Sequence, residues 1–194
     1  MENYSVIDFR FARNSDEYNM KYNQLGAWSR IYEYEYVTNF ILRNNISNPI
    51  IHNSSWGFEG IHVKFRDELD LIGDCLHTDI VTSKYRDTTY YDITKIHEEW
   101  INKFNYVLNI STIEHLSSKV DRINAINNLF NQVKCGGYLV LSFDYPRVDL
   151  GEIESLVGVK CSDFNDRLNG SNSINPNNKY NDLNIVYLIL KKEK

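Results

Sequence analysis

The chain has 194 residues, 42% of them hydrophobic and 24% charged, which is enough apolar content to bury a core and excludes a disordered chain. A net charge of -5, with no basic run beyond Lys191-Lys192-Glu193-Lys194, argues against nucleic acid as the main partner. Three widely spaced cysteines (Cys75, Cys135, Cys161) form no C-x-x-C pair, so neither a zinc site nor a redox pair is expected; no apolar run is long enough for a membrane span and no signal peptide is evident.

The length suits one domain with a short extra lobe. Residues 1–48 are read as an N-terminal arm and cap helix, and residues 49–194 as the main domain. Residues 1–20 are mostly polar, with apolar side chains at Val6, Ile7, Phe9 and Phe11, and are expected to be irregular or briefly extended. From Tyr22 to Arg43 the residues Leu25, Trp28, Ile31, Tyr32, Val37, Phe40 and Ile41 approximate one helical stripe. Its tyrosines either cover the sheet or form a cap over a site, and in the second reading Trp28, Arg30 and Tyr32 face a polar acceptor.

From Pro49 the chain alternates strands and helices in the manner of a parallel α/β protein. A strand at Ile50–Asn53 leads into a turn of small residues, Ser54, Ser55, Gly57 and Gly60, and a helix over residues 61–72. A second strand, Cys75–Thr78, ends at Asp79. A short third strand is expected at Tyr90–Ile93 and a helical turn at Glu98–Lys103. Phe104–Ile110 is the best central strand, and Asp121–Val133 a helix with Ile123, Ile126, Leu129, Phe130 and Val133 on one face. Lys134-Cys135-Gly136-Gly137 is read as a helix stop and turn before a buried strand at Tyr138–Phe143. A short helix follows at Glu152–Val157, then a weak strand candidate at residues 158–164, a polar loop at Leu168–Asp182, and a last strand at Asn184–Leu190.

The small-residue turn, Asp79, Asp92 and the run Asn109-Ile110-Ser111-Thr112-Ile113-Glu114-His115-Leu116 all fall at carboxyl ends of these strands, the edge where open α/β sheets bind ligands. A carboxylate at Asp79 suits the two hydroxyls of a ribose, and one at Asp92 an exocyclic adenine amine. His52 and His62 match no metal-ligand spacing and are read as structural; no metal is expected.

Phe104–Leu116 and Leu129–Ser142, at their observed separation, resemble the class I S-adenosylmethionine-dependent methyltransferases, in which a strand ending in an Ile-Glu-His-Leu turn is followed by a helix and a Gly-Gly entry to the next strand. The resemblance spans roughly residues 48–145. It implies an α/β, Rossmann-like three-layer sandwich, with a mostly parallel sheet and an antiparallel C-terminal strand, here preceded by the N-terminal helical cap. It implies S-adenosyl-L-methionine as cofactor, held by Asn53, Ser54, Ser55, Trp56, Gly57, Gly60, Asp79, Asp92, Asn109 and Ser111. It implies His115 as base beside Glu114. Asn53 stands where the family has an acidic residue, Ser55 where it has a first glycine, and the bulk of Trp56 suggests that this loop, with Glu59, turns towards the acceptor. The activity expected is methyl transfer to a small polar acceptor, a sugar or nucleotide-sugar hydroxyl, in a cytoplasmic protein compatible with a homo-oligomer. The rival reading is a catalytically inactive domain of the same fold that serves as a binding or assembly module. A dehydrogenase is disfavoured by the missing G-x-G-x-x-G.

Overall fold

The computed structural model describes residues 1–12, 30–57, 61–82, 87–164 and 184–194. The strands are β1 (Tyr4–Phe11), β2 (Ile50–Ser54), β3 (Asp74–Asp79), β4 (Thr89–Tyr90), β5 (Phe104–Ile110), β6 (Val133–Tyr145) and β7 (Asn184–Lys192). The α-helices are α1 (Arg30–Asn44), α2 (Ile61–Ile72), α3 (Lys119–Gln132) and α4 (Leu150–Val157). The strands form one sheet in the order β1-β7-β6-β5-β2-β3-β4. Strand β2 pairs in parallel with β3 and β5, as do β3 with β4 and β5 with β6. Strand β7 runs antiparallel to both β6 and β1.

Alternation along the strands divides the core into two layers. Tyr106, Leu108, Ile110, Val140 and Ile189 meet Tyr34, Val37 and Ile41 of α1 and Phe65 and Leu69 of α2. Val107, Leu139, Leu141, Phe143, Val186 and Leu188 face the other way, against Ala125, Ile126, Leu129 and Phe130 of α3 and Ile153 and Val157 of α4. The arrangement is the expected three-layer sandwich. Helix α1 shares one of its outer layers with α2, and its first turn reaches the carboxyl edge of the sheet. Residues 22–29 of the predicted helix lie outside the described residues, as do 168–182 of the predicted loop.

Three expectations change. Residues 4–11, expected to be irregular or briefly extended, form a full edge strand of the same sheet. The apolar period escaped the sequence reading because the register shifts between Val6 and Asp8: Tyr4, Val6, Phe9 and Phe11, spaced two, three and two, all pack against one core layer. The sheet's seventh position is therefore filled by β1, and residues 158–164 supply no strand; Cys161–Asp163 is a single 3-10 turn. Lys134–Gly137 is part of β6, where Gly136 has φ 79° and a Cβ on Gly137 would stand 2.6 Å from the Asn105 carbonyl oxygen. The glycines make an irregular start to the strand, close against β5, rather than a reversing turn. Smaller differences are a β4 that stops at Tyr90 and a single 3-10 turn at Glu98–Trp100.

Candidate functional site

A cavity of about 610 Å³ opens along the carboxyl edge of β2, β3, β4 and β5. That is within the range of about 300–1,000 Å³ usual for small-molecule sites. Its wall takes Ser55 and Gly57 from the turn after β2, His62 from α2, Asp79 and Ile80 from the end of β3, and Tyr90, Asp92 and Ile93 around β4. Arg30 and Tyr34 of α1 and Ile110, Ser111, Thr112, His115 and Leu116 after β5 complete it.

The turn after β2 is built around two left-handed residues, Ser55 (φ 58°) and Gly57 (φ 73°). Gly57 is required there: a Cβ would meet the His62 ring at 2.8 Å. Ser55, by contrast, holds a conformation that a side chain disfavours, and its N–H donates to the Thr78 carbonyl at 2.7 Å. Ser111, after β5, is also left-handed (φ 42°). Sparsely populated backbone of this kind gathers at ligand sites.

At the β3/β4 end, Asp79 Oδ1 accepts the Val81 N–H at 3.1 Å. Asp92 Oδ1 accepts both the N–H and the hydroxyl of Thr94, at 2.9 and 2.7 Å, and the hydroxyl contact holds its carboxyl below the usual range. The two carboxylates therefore stand on one cavity wall, as the sequence reading of the strand ends required.

At the β5/β6 end the first turn of α1 is pinned to the sheet by Glu33. This fully buried carboxylate accepts from Arg30 at 2.7 Å, from the Ser111 hydroxyl, and from the Ser142 hydroxyl at 2.6 Å. Burial pushes its pKa up, but Arg30 and the two hydroxyls outweigh burial and hold it below the ordinary carboxylate value. Tyr34 hydrogen-bonds Nδ1 of His62, and burial followed by the charge of Arg30 lowers His62 to about 4. The sequence reading passed over Glu33 and treated His62 as structural; the structure sets His62 in the cavity wall. A signal for Glu33 did exist, because it lies on the stripe of Val37 and Ile41, at spacings of four, where a carboxylate has to be paired.

His115 lines the cavity, with its pKa lowered by burial and then by Arg147 and Arg30, so its imidazole is neutral at neutral pH and able to accept a proton. Glu114 turns its carboxylate away from solvent with no partner on another residue, and burial, opposed by its own backbone N–H and reinforced by Asp144 and Glu33, pushes its pKa up to about 8. Asp144, at the end of β6, is likewise raised to about 6 by burial and then Glu33.

Of the other expected residues, Ser111 and Arg30 are on the cavity wall, but Asn53, Ser54, Trp56 and Asn109 are buried beside it. Asn53 bonds His77 at 3.2 Å, and Ser54 donates to the Leu108 carbonyl while accepting from Asn109. Trp56 donates to the Thr88 hydroxyl at 3.1 Å, with the Arg66 guanidinium 4.8 Å from its ring centre, so its bulk is packed rather than turned towards a ligand. Tyr32 packs beside Ile185 and Tyr187, away from the cavity. Trp28, Glu59 and Gly60 lie outside the described residues. His52 is buried between Gln132 and Thr78 and lowered to about 3 by burial, as a structural histidine is. Asp70, Cys75 and His77 bring donor atoms within 4.8 Å of one another on the α2/β3 side; His77 Nε2 and Asp70 are 2.8 Å apart.

No family model matches the chain, and no curated protein matches it. Solved structures do. A TehB-like S-adenosylmethionine-dependent methyltransferase from Corynebacterium glutamicum is similar at 13% identity and TM-score 0.56, over 80% of this chain and 86% of that one. The Burkholderia thailandensis 1,6-didemethyltoxoflavin-N1-methyltransferase, solved with S-adenosylhomocysteine, is similar at 9% identity and TM-score 0.55, over 84% and 79%. The cyclase SpnF is similar at 11% identity and TM-score 0.52, over 96% and 87%. Several further matches are to longer methyltransferases, of which this chain spans about half. The fold is thus that of the class I S-adenosylmethionine-dependent methyltransferases, as the sequence resemblance implied. Its occurrence in a cyclase leaves the chemistry to be argued from the site.

Proposed function

We propose that the protein is an S-adenosylmethionine-dependent methyltransferase acting on a small polar acceptor of sugar-like size. The observation that carries this reading is the shared cavity wall: Asp79, Asp92 and the left-handed Ser55–Gly57 turn line the same 610 Å³ space at the carboxyl edge of the sheet. Asp79 accepts the ribose hydroxyls, Asp92 and Ile93 take the adenine, and Ser55, Gly57 and Ser111 bring backbone close to the methionine end. The cofactor supplies a methyl group on a sulfonium, a good leaving group, so positioning the acceptor does much of the catalysis. Arg30 and Thr112 orient the acceptor beside His115, which takes up its proton. Asn53, Ser54 and Asn109 act through the wall, by holding β2 against β3 and β5. Among the described residues no helix is long and apolar enough to cross a membrane. The acidic net charge supports a small-molecule acceptor over nucleic acid.

The second reading, a binding module that has lost catalysis, is favoured by one observation. Asn53, where the family has an acidic residue, bonds His77 and contributes no charge to the cavity. Calorimetric titration with S-adenosylhomocysteine tests both. Binding that weakens about 10- to 100-fold in Asp79→Ala, with the fold retained by circular dichroism, is the expected outcome. No heat at millimolar ligand removes the enzyme reading.

A further inference from the structure

Outside the cavity wall, one group of side chains is assembled from the residue types that ligate soft divalent metals. Asp70 lies in the last turn of α2, and Cys75 and His77 lie two apart on β3, on one face of the strand. Only Gly73 joins the two elements, and a Cβ there would stand 2.2 Å from the Pro49 carbonyl oxygen, so the connection is tight. The ligand atoms of the three residues all lie within 4.8 Å of one another. Bonds of about 2.0–2.3 Å to a tetrahedral zinc ion set such atoms about 3.3–3.7 Å apart, so side-chain adjustments of about 1 Å close the site. Asp70 Oδ1 accepts from His77 Nε2 at 2.8 Å, and the Cys75 thiol bonds the same carboxylate. His77, only 5% exposed, is held through its other nitrogen, Nδ1, by the buried Asn53 amide at 3.2 Å. Metal-ligating histidines are oriented in this way, by a polar group on the nitrogen that does not bind the ion. Behind the carboxylate, Arg66 is 8% exposed and its Nε has no hydrogen-bond partner; it stands 3.9 Å from Asp70 Oδ2, too far for a bond. An ion between His77 and Asp70 parts them and brings Oδ2 towards that orphaned donor, as ligating carboxylates are themselves hydrogen-bonded. The carboxylates of Asp67 and Asp74 also act on the cluster, so negative charge outweighs the one guanidinium of Arg66.

We propose that Asp70, Cys75 and His77 form a binding site for a zinc-type divalent ion that ties α2 to β3, with water as the fourth ligand. One thiolate, one imidazole and one carboxylate suit zinc, whereas magnesium and calcium take oxygen ligands alone. The protons balance. The Cys75 thiol gives its proton to solvent and binds as thiolate. The His77 ring stays neutral: its proton passes from Nε2, which takes the ion, to Nδ1, and the Asn53 amide turns its oxygen to accept it. Asn53 then has a use that its position in the turn after β2 does not reveal. The sequence reading sought paired cysteines and regular histidine spacing; this set has one cysteine and one histidine, and its third ligand comes from the preceding helix. The site stands apart from the cavity and does not depend on the methyltransferase reading.

Cobalt(II), a spectroscopic stand-in for zinc, provides the test. The full chain is treated with a chelator, dialysed and titrated with cobalt(II) chloride under reducing conditions. A thiolate-to-cobalt charge-transfer band is expected to saturate at one equivalent and to be displaced by zinc chloride. Cys75→Ser is expected to abolish the band, and Cys135→Ser, at an exposed cysteine, to leave it unchanged. Asp70→Asn, whose side chain is 45% exposed and tolerates substitution, is expected to weaken cobalt binding at least about 10-fold. Zinc chloride at tenfold its Kd is expected to raise the thermal midpoint of the wild type by about 4 °C and to leave that of Cys75→Ser unmoved. No band in the wild type, a band that survives Cys75→Ser, or undiminished affinity in Asp70→Asn overturns the proposal. If Cys75→Ser does not fold, Asp70→Asn and Cys135→Ser carry the comparison.

Discussion

Ser55 shows how a single backbone angle links this chain to its site. The residue occupies the place where the family resemblance leads one to expect glycine, and its φ of 58° is one that glycine adopts without cost. Its N–H is fixed by the Thr78 carbonyl, so the conformation is imposed by the β2/β3 pairing and not by the side chain. Replacing Ser55 by glycine is therefore expected to stabilise the protein by about 0.5–1 kcal/mol, the relief of the left-handed strain less the entropy of a freer unfolded chain. A thermal midpoint higher by about 2 °C is the predicted reading. An unchanged or lower midpoint means that the serine hydroxyl makes a compensating contact. Gly57 is the opposite case, since any side chain there collides with His62.

The elements meet the site through their ends, and α1 does so through Glu33. Its carboxylate joins the helix to Ser111 after β5 and Ser142 in β6, while Arg30, one turn earlier, completes the pair and lines the cavity. Further along α1, Tyr36 stacks on Tyr187 of β7 and donates to Asp8 of β1, so the helix also ties the edge of the sheet together. Glu33→Gln breaks the ion pair while conserving shape, and is expected to cost about 3 kcal/mol, because the partly buried guanidinium and the two hydroxyls lose their charged partner. The pH dependence has a definite sign. The folded-state pKa of Glu33 lies below its ordinary value of 4.5, so its stabilisation is present above pH 4.5 and is lost as pH falls through the lower folded-state value. Urea titrations at falling pH should show the wild type and Glu33→Gln converging below pH 4.5; a constant gap between them would contradict this role.

Over the whole molecule, the sheet is completed by the first strand of the chain instead of a late one. Strand β1 covers β7, which otherwise presents an unpaired edge, and sets fully buried Phe9 into the layer beneath α3 and α4. Phe9→Ala is expected to lose about 3–4 kcal/mol in chemical denaturation through the cavity left behind. Circular dichroism of the folded baseline should be unchanged, because the ladder of β1 with β7 is made by backbone groups. A loss below 1 kcal/mol would mean that this edge is not part of the cooperative unit.

Much of this was legible in the sequence. The boundaries of β5, a run at Phe104–Ile110 that is apolar except for Asn105 and Asn109, and of α2 at residues 61–72 are those expected from hydrophobic pattern. Asp79 and Asp92 were legible as a pair because strand ends in a parallel sheet share one edge. Asn53, Ser54, Trp56 and Asn109 were assigned to the ligand because they belong to the same loops, and sequence position does not say whether a side chain faces a cavity or its neighbouring strand. The shifted register in β1 hid a strand, and the partners of Glu33, Ser111 and Ser142, were hidden because they lie 78 and 109 residues away.

What the sequence by itself determined is local: the order and type of most elements between Pro49 and Val157, and the acidic residues at strand ends, all of which depend on hydrophobic period and turn chemistry within a few residues. What only the tertiary structure decided is non-local: that β1 closes the sheet, and that α1 delivers Arg30 and Glu33 to the end of β5. Pairing, burial and electrostatic balance depend on which groups meet across the fold, and no window along the chain contains both partners.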